Sequence, residues 1–144
     1  MTQAQRTTWS PFLRALADEV DSLGGAGARD TLLREVGRRM ARFQPLPFTT
    51  RMDVMELDAN ETLAALGWGS VSFRVAEQDR SLLIDHAAWP SVGGAGDPPG
   101  SWLSAVLEGL YEGWMAQLPG ADPSLVVRRV RVGLDSVLLR YGHA

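Results

Sequence analysis

The hydrophobic period of this chain changes between Leu66 and Val71, and that change decides which class of fold is open to it. Before the change, apolar residues recur every three or four positions. Phe12, Leu13, Leu16, Val20 and Leu23 form one set, and Leu32, Leu33, Val36, Met40 and Phe43 a second; such spacing lines one face of a helix. Ser10 is placed to cap the first helix, with Pro11 at its first position, where a missing N–H costs nothing. Gly24-Gly25-Ala26-Gly27 predicts the end of that helix and a flexible joint. A second helix is expected over Arg29–Phe43, stopped by Pro45 and Pro47. A third is expected over Met52–Leu66, with Thr50 as its cap and an apolar stripe that Asn60 weakens. After the change the period is two. Val71, Phe73 and Val75 alternate with Ser70, Ser72 and Arg74, and Ser81–His86 follows a short polar turn, the pattern of a hairpin. Beyond a Gly- and Pro-rich loop over 89–100 comes a fourth helix, Ser101–Leu118. Two further strands, Leu125–Val132 and Ser136–Tyr141, end the chain, with Arg128 and Arg140 facing solvent. The expected class is α+β: N-terminal helices, a small antiparallel sheet of about four strands, and a long helix between the two strand pairs.

With 144 residues the chain is expected to form a single domain over 1–144, residues 1–9 being a flexible N-terminal segment. Its formal charge of -3, with every basic side chain an Arg, gives no basic patch for nucleic acid. No Cys is present, which removes disulfides and Cys-ligated metal sites. The first ten residues lack the apolar run of a signal peptide, and no window approaches ~18 consecutive apolar residues, so the expected location is the cytoplasm with no membrane span.

Residues suited to catalysis are few. His86 lies at a strand end beside Asp85, without a recognisable nucleophile or orienting partner, and reads as a structural or solvated group; His143 is next to the C-terminus. Glu108 and Glu112 form the best carboxylate pair, four apart on one helix face. Glycosidase carboxylates flank a substrate across a cleft, so a solvated face or arginine partners is the simpler reading, with a glycan hydrolase using Glu108 or Glu112 as a competitor. The Gly93–Gly96 loop lacks the Lys-Ser/Thr pair of a phosphate cradle. No catalytic residue, metal ligand or cofactor is assigned. Of the five Trp residues, Trp9 and Trp89 are the best candidates for exposure. The fourth helix carries a wide apolar face, and also a stripe of small residues, Ala105, Gly109 and Gly113. Interior glycine costs about 1 kcal/mol against alanine, so the stripe implies close approach of another backbone. That backbone is either the same helix of a second subunit across a two-fold axis or another element of this chain. A small-ligand-binding module, with an apolar cavity between helices and sheet, is a further alternative.

Several blocks resemble the cellulose biosynthesis protein D family: the helix from Leu32-Leu33-Arg34-Glu35 to Met40-Ala41; Trp68-Gly69 opening the hairpin; and Val92-Gly93 through Ala95-Gly96, Pro99-Gly100 and Trp102-Leu103. The last runs on through Val106-Leu107-Glu108-Gly109-Leu110-Tyr111 and Trp114 to Pro119-Gly120-Ala121. The resemblance implies a non-enzymatic accessory subunit of bacterial cellulose synthesis, a homo-octamer built as a tetramer of dimers. Its passageways would guide nascent β-1,4-glucan chains towards crystalline cellulose, alongside other cellulose synthesis subunits. It also implies that the N-terminal segment lines those passageways, making Thr2, Gln3, Gln5 and Arg6 the glucan-contacting residues.

Overall fold

The computed structural model describes residues 8–144, which run α1 (Ser10–Phe43), α2 (Met52–Leu66), β1 (Ser70–Val75), β2 (Leu82–Ala87), α3 (Leu103–Ala116), β3 (Leu125–Val132) and β4 (Ser136–His143). The fold is α+β as expected. The four strands form one antiparallel sheet in the order β1-β2-β4-β3.

The two helices expected on either side of Gly24–Gly27 follow each other without a loop as the two halves of α1, and meet at a kink where Gly25 leaves helical geometry (φ 79°, ψ 179°), a conformation that a side chain would resist. The joint is not loose. Arg29, almost fully buried, donates to Asp21 before the kink (2.7 Å) and to Asp30 after it (3.2 Å). One guanidinium thus ties both halves of α1 together. The expected caps differ too. Ser10 is the first helical residue rather than the cap, and Trp9 precedes it without a side-chain bond. Before α2 the cap position belongs to Arg51, whose amide donates to Thr49 Oγ1, so Thr50 does not cap. At the other end of α1, where helical carbonyls lose their partners, Trp114 Nε1 donates to the Gln44 carbonyl and Gln117 Nε2 to that of Ala41.

Helix α3 is the centre of the molecule. Eleven of its 14 residues are buried, because α1 covers one side of it and the sheet the other. Leu107, Leu110, Tyr111, Trp114 and Met115 fill the interior with Leu63, Ile84, Val127 and Leu139. Trp89, expected near solvent, is in this core at 5% exposure, since the loop after β2 folds back and its amide bonds the Asp135 carbonyl. Trp9 is exposed, as expected. In β1 the alternation stops one residue early: Val71 and Phe73 are buried, while Val75 at the strand end is exposed.

Both edges of the sheet are closed by side chains. Along β1, Asn60 of α2 accepts from the Val71 amide (2.8 Å) and donates to its carbonyl (2.9 Å), and Glu56 accepts from the Phe73 amide (2.7 Å). Asn60 interrupts the apolar stripe of α2 because it serves as a strand mimic. Along β3 the same task falls to the two glutamates of α3.

Candidate functional site

Glu108 and Glu112 project from successive turns of α3 towards β3. Glu108 Oε2 accepts from the Arg129 amide (3.1 Å), and Glu112 Oε1 from the Val127 amide (3.1 Å). Their other oxygens meet α1: Arg34 Nε donates to Glu108 Oε1 (3.2 Å), and Arg38 Nε to Glu112 Oε2 (2.9 Å). The result is a two-rung ladder. Residues four apart on α1 face residues four apart on α3, which face alternate amides of an edge strand. The upper rung extends further, since Arg129 also bonds Ser104 and pairs with Asp30, the partner of Arg29. Burial of this many charges is tolerable only when each is paired and hydrogen-bonded. No buried side-chain polar atom among the described residues lacks a partner.

That geometry answers the carboxylate question. All four oxygens of the pair already accept hydrogen bonds, and Glu108 is 1% exposed. A glycosidase needs one carboxyl free to donate a proton and another facing a sugar; these two face β3 and α1. Arginine partners are the correct reading, and a solvated face is not.

His86 is equally committed. Its ring is fully buried on β2, with Nε2 at 2.8 Å from the Trp68 carbonyl and Nδ1 at 2.5 Å from the Tyr111 hydroxyl. A carbonyl only accepts, so Nε2 carries the proton and Nδ1 receives the tyrosine O–H. Burial, partly opposed by the Trp68 carbonyl, pushes the imidazole down to about 4, and burial likewise pushes the Tyr111 phenol well above its usual range. Tyr111 also meets Phe73, His86 and Trp114 edge-on. His86 is a neutral core group with neither nitrogen open to a substrate.

The small-residue stripe of α3 lies against α1. A Cβ at Gly109 would sit 1.9 Å from the Arg34 carbonyl oxygen, one at Gly113 2.6 Å from the Ala41 Cβ, and one at Gly37 of α1 2.0 Å from the Val106 oxygen. Ala105 is fully buried. The close approach is therefore to another element of the same chain; Gly109 is buried there, and Gly113 is half-buried beside a surface groove. Thr2, Gln3, Gln5 and Arg6 lie outside the described residues.

One groove of about 590 Å³ sits at the end of the sheet, floored by Met55, Leu82, Met115 and Leu118 and rimmed by Arg51 and Arg80. A second of similar volume lies between Arg42, Gln117 and Val126. Asp79, beside the first groove, is lowered to about 2 by Ser81 and Arg140. Sequence reasoning missed the ladder although its signal was there: the Arg34/Arg38 spacing equals the Glu108/Glu112 spacing, and Gly37 and Gly109 lie on the same faces.

These features define an α+β scaffold whose most conspicuous polar groups hold its own elements together. The chain belongs to the family of the cellulose synthase D subunit, whose sequence pattern matches residues 1–142. It is 43% identical over 122 residues to cellulose synthase operon protein D of Komagataeibacter xylinus, covering 84% of this chain and 78% of that protein; the protein of the same name from Komagataeibacter sucrofermentans matches equally. Another K. xylinus protein of that name is 44% identical over 119 residues, 82% of this chain and 76% of its own length. No helix among the described residues is long and apolar enough to cross a membrane.

Proposed function

We propose that this chain is a non-catalytic accessory subunit of bacterial cellulose synthesis, a cytoplasmic homo-octamer that guides nascent β-1,4-glucan chains and promotes their crystalline packing. Membership of the cellulose synthase D family over nearly the whole chain carries this reading. It is supported by the engagement of the Glu108–Glu112 pair and of His86 in internal bonds, which leaves the best acid–base candidates without a substrate-facing atom. Glycosyl transfer then belongs to another subunit. The contribution of this one is shape: a passage that binds sugar weakly enough for the chain to move. Thr2, Gln3, Gln5 and Arg6 supply hydroxyl, amide and guanidinium groups for that contact.

Light scattering on the purified chain tests the assembly. Eight copies of a 15.7 kDa chain weigh about 126 kDa, and homo-oligomers usually close by point-group symmetry. Deleting residues 2–6 is expected to leave that mass unchanged while lowering the crystalline fraction of cellulose made by a strain that relies on this protein. A monomer would refute the ring. Unchanged crystallinity would refute the role of the N-terminal segment.

A further inference from the structure

The groove at the end of the sheet joins an apolar floor to a rim whose charges are nearly all paired. Met55 of α2, Leu82 of β2, Met115 of α3 and Leu118 just beyond it make the floor, and Leu125 and Tyr141 also line the groove. Three of the chain's five methionines, Met52, Met55 and Met115, are among its lining residues, and methionine adapts its shape to an apolar guest. A volume of about 590 Å³ is that of a small-molecule site.

The rim decides the charge of the guest. Three arginines line the groove, Arg51, Arg80 and Arg140, against two aspartates, Asp79 and Asp122. The excess is positive although the chain as a whole carries -3. Most of these groups already have partners. Asp79 accepts from the Ser81 hydroxyl and pairs with Arg140 (2.9 Å), Arg51 pairs with Asp53 (2.7 Å), and Asp122 accepts from the Ser124 hydroxyl. His143, at the same rim, lies 3.3 Å from Ser124 Oγ. Arg80 is exposed, and its side chain is the only charged one of the lining with no hydrogen bond or ion pair among the described residues.

The backbone at Arg80 sharpens the point. It closes the loop between β1 and β2, where its amide donates to the Ala76 carbonyl and the Ala76 amide to that of Ser81, both at 2.8 Å. Its φ is 60°, in the left-handed region that favours glycine. Neither bond uses the side chain, so glycine would make the same turn. An arginine at a strained position with no internal partner serves nothing in the fold, and strain of this kind gathers at functional sites.

We infer that this groove binds a soluble acyl carboxylate, its apolar chain over the Met55–Leu118 floor and its head met by Arg80. One guanidinium matches one carboxylate through two parallel N–H···O bonds, whereas a phosphate dianion would keep an unmatched charge. A sugar would lay hydroxyls on methionine and leucine side chains that cannot bond them. The inference does not depend on the oligomeric reading above.

Equilibrium dialysis of the purified full chain against radiolabelled decanoate tests it. Saturation at one decanoate per chain is expected. Arg80→Gly is expected to weaken binding roughly ten-fold, the worth of one charge-assisted hydrogen bond, yet to melt at or above wild type without decanoate, because glycine relieves the strain. Leu118→Trp, at a half-buried position, should fill the groove and abolish binding. Wild type that retains no decanoate would overturn the inference. So would binding that both variants leave unchanged, since exposed apolar side chains elsewhere would then be holding it. If Arg80→Gly melts below wild type, the arginine holds the hairpin and its assignment to the ligand is wrong.

Discussion

Replacing Gly109 with Ala adds a single methyl group in the middle of a helix, where helix propensity alone favours the change by about 1 kcal/mol. At this position the structure reverses the sign. The new Cβ would lie 1.9 Å from the Arg34 carbonyl oxygen and 2.7 Å from its carbon, against ordinary contacts that begin near 3.4 Å. Both partners are helical backbone, so no side chain can rotate away. The helices must withdraw by roughly 1.5 Å, a gap that forfeits about half or more of the dispersion energy of each facing pair. Leu33, Ala41, Val106 and Leu110 stand at or beside this contact and lose packing together. The steric cost then falls at or beyond the top of the usual overpacking range, about 3–4 kcal/mol. After the propensity gain the net loss is about 2–3 kcal/mol, or roughly 10 °C in melting temperature for a domain of this size. Circular-dichroism melts are the assay, with Gly27→Ala as the matched control. A Cβ at Gly27 meets nothing within 4 Å, so the same substitution on the partner helix is expected to raise stability by about 0.5–1 kcal/mol. If Gly109→Ala melts at or above wild type, the backbone-to-backbone contact between α1 and α3 is wrong.

Other consequences follow from the polar core. Glu108→Gln leaves Arg34 and Arg129 facing a neutral amide, and unfolding in urea is expected to show a loss of about 2 kcal/mol, below the 3–5 of a fully buried pair because both arginines are partly exposed; Glu112→Gln, in a wetter site, should cost less. His86 is held neutral at about 4 in the folded chain against ~6.5 when unfolded. Its stabilisation is therefore full above pH 6.5 and is lost as pH falls from 6.5 through 4, about 3 kcal/mol in all, and a denaturation midpoint that is flat over that window would contradict its burial. Asp79, held at about 2, adds its own loss only below about pH 4 and does not obscure the test. Asn60→Ala orphans the Val71 amide at the sheet edge at about 1–3 kcal/mol, and hydrogen exchange at that amide should speed up while the β2–β4 amides stay protected.

The helical and strand periods were legible because each rests on burial of one face, and that is local information. Met52–Leu66 and the four strands appear within a residue or two of their expected limits for this reason. What the sequence hid was tertiary. Gly24–Gly27 reads as a joint by composition, but an arginine four residues on, bridging two aspartates nine apart, turns it into a fixed kink. Trp89 reads as a loop residue, yet the loop folds inward. The glycines of α3 demanded a close neighbour, and sequence spacing could not say whether that neighbour was foreign; Gly37, the matching hole on α1, decides it. Glu108 and Glu112 read as either a solvated face or partners of arginine, because helical spacing specifies which residues share a face, not what that face meets.

Closure of both sheet edges bears on assembly as much as on stability. An edge strand with free amides is a template for another strand. Here Asn60 and Glu56 occupy β1, and Glu108 and Glu112 occupy β3, each at the outward groups a foreign strand would need. The bulge between Arg129 and Arg131 disturbs the remaining stretch of β3. Strand addition is thus blocked at both ends of the sheet by residues that also fix α2 and α3 in place. The proposed self-association would then fall to the helices, of which α1 carries exposed apolar side chains on both sides of its kink. The ladder bears on that helix: Arg34 and Arg38 fix the rotation of the second half of α1 about its own axis, and that rotation decides which of its residues face outward. Weakening a rung should therefore disturb assembly as well as folding. Glu112→Gln, the milder of the two, is the variant in which a fall in oligomer mass can be seen while the chain remains folded.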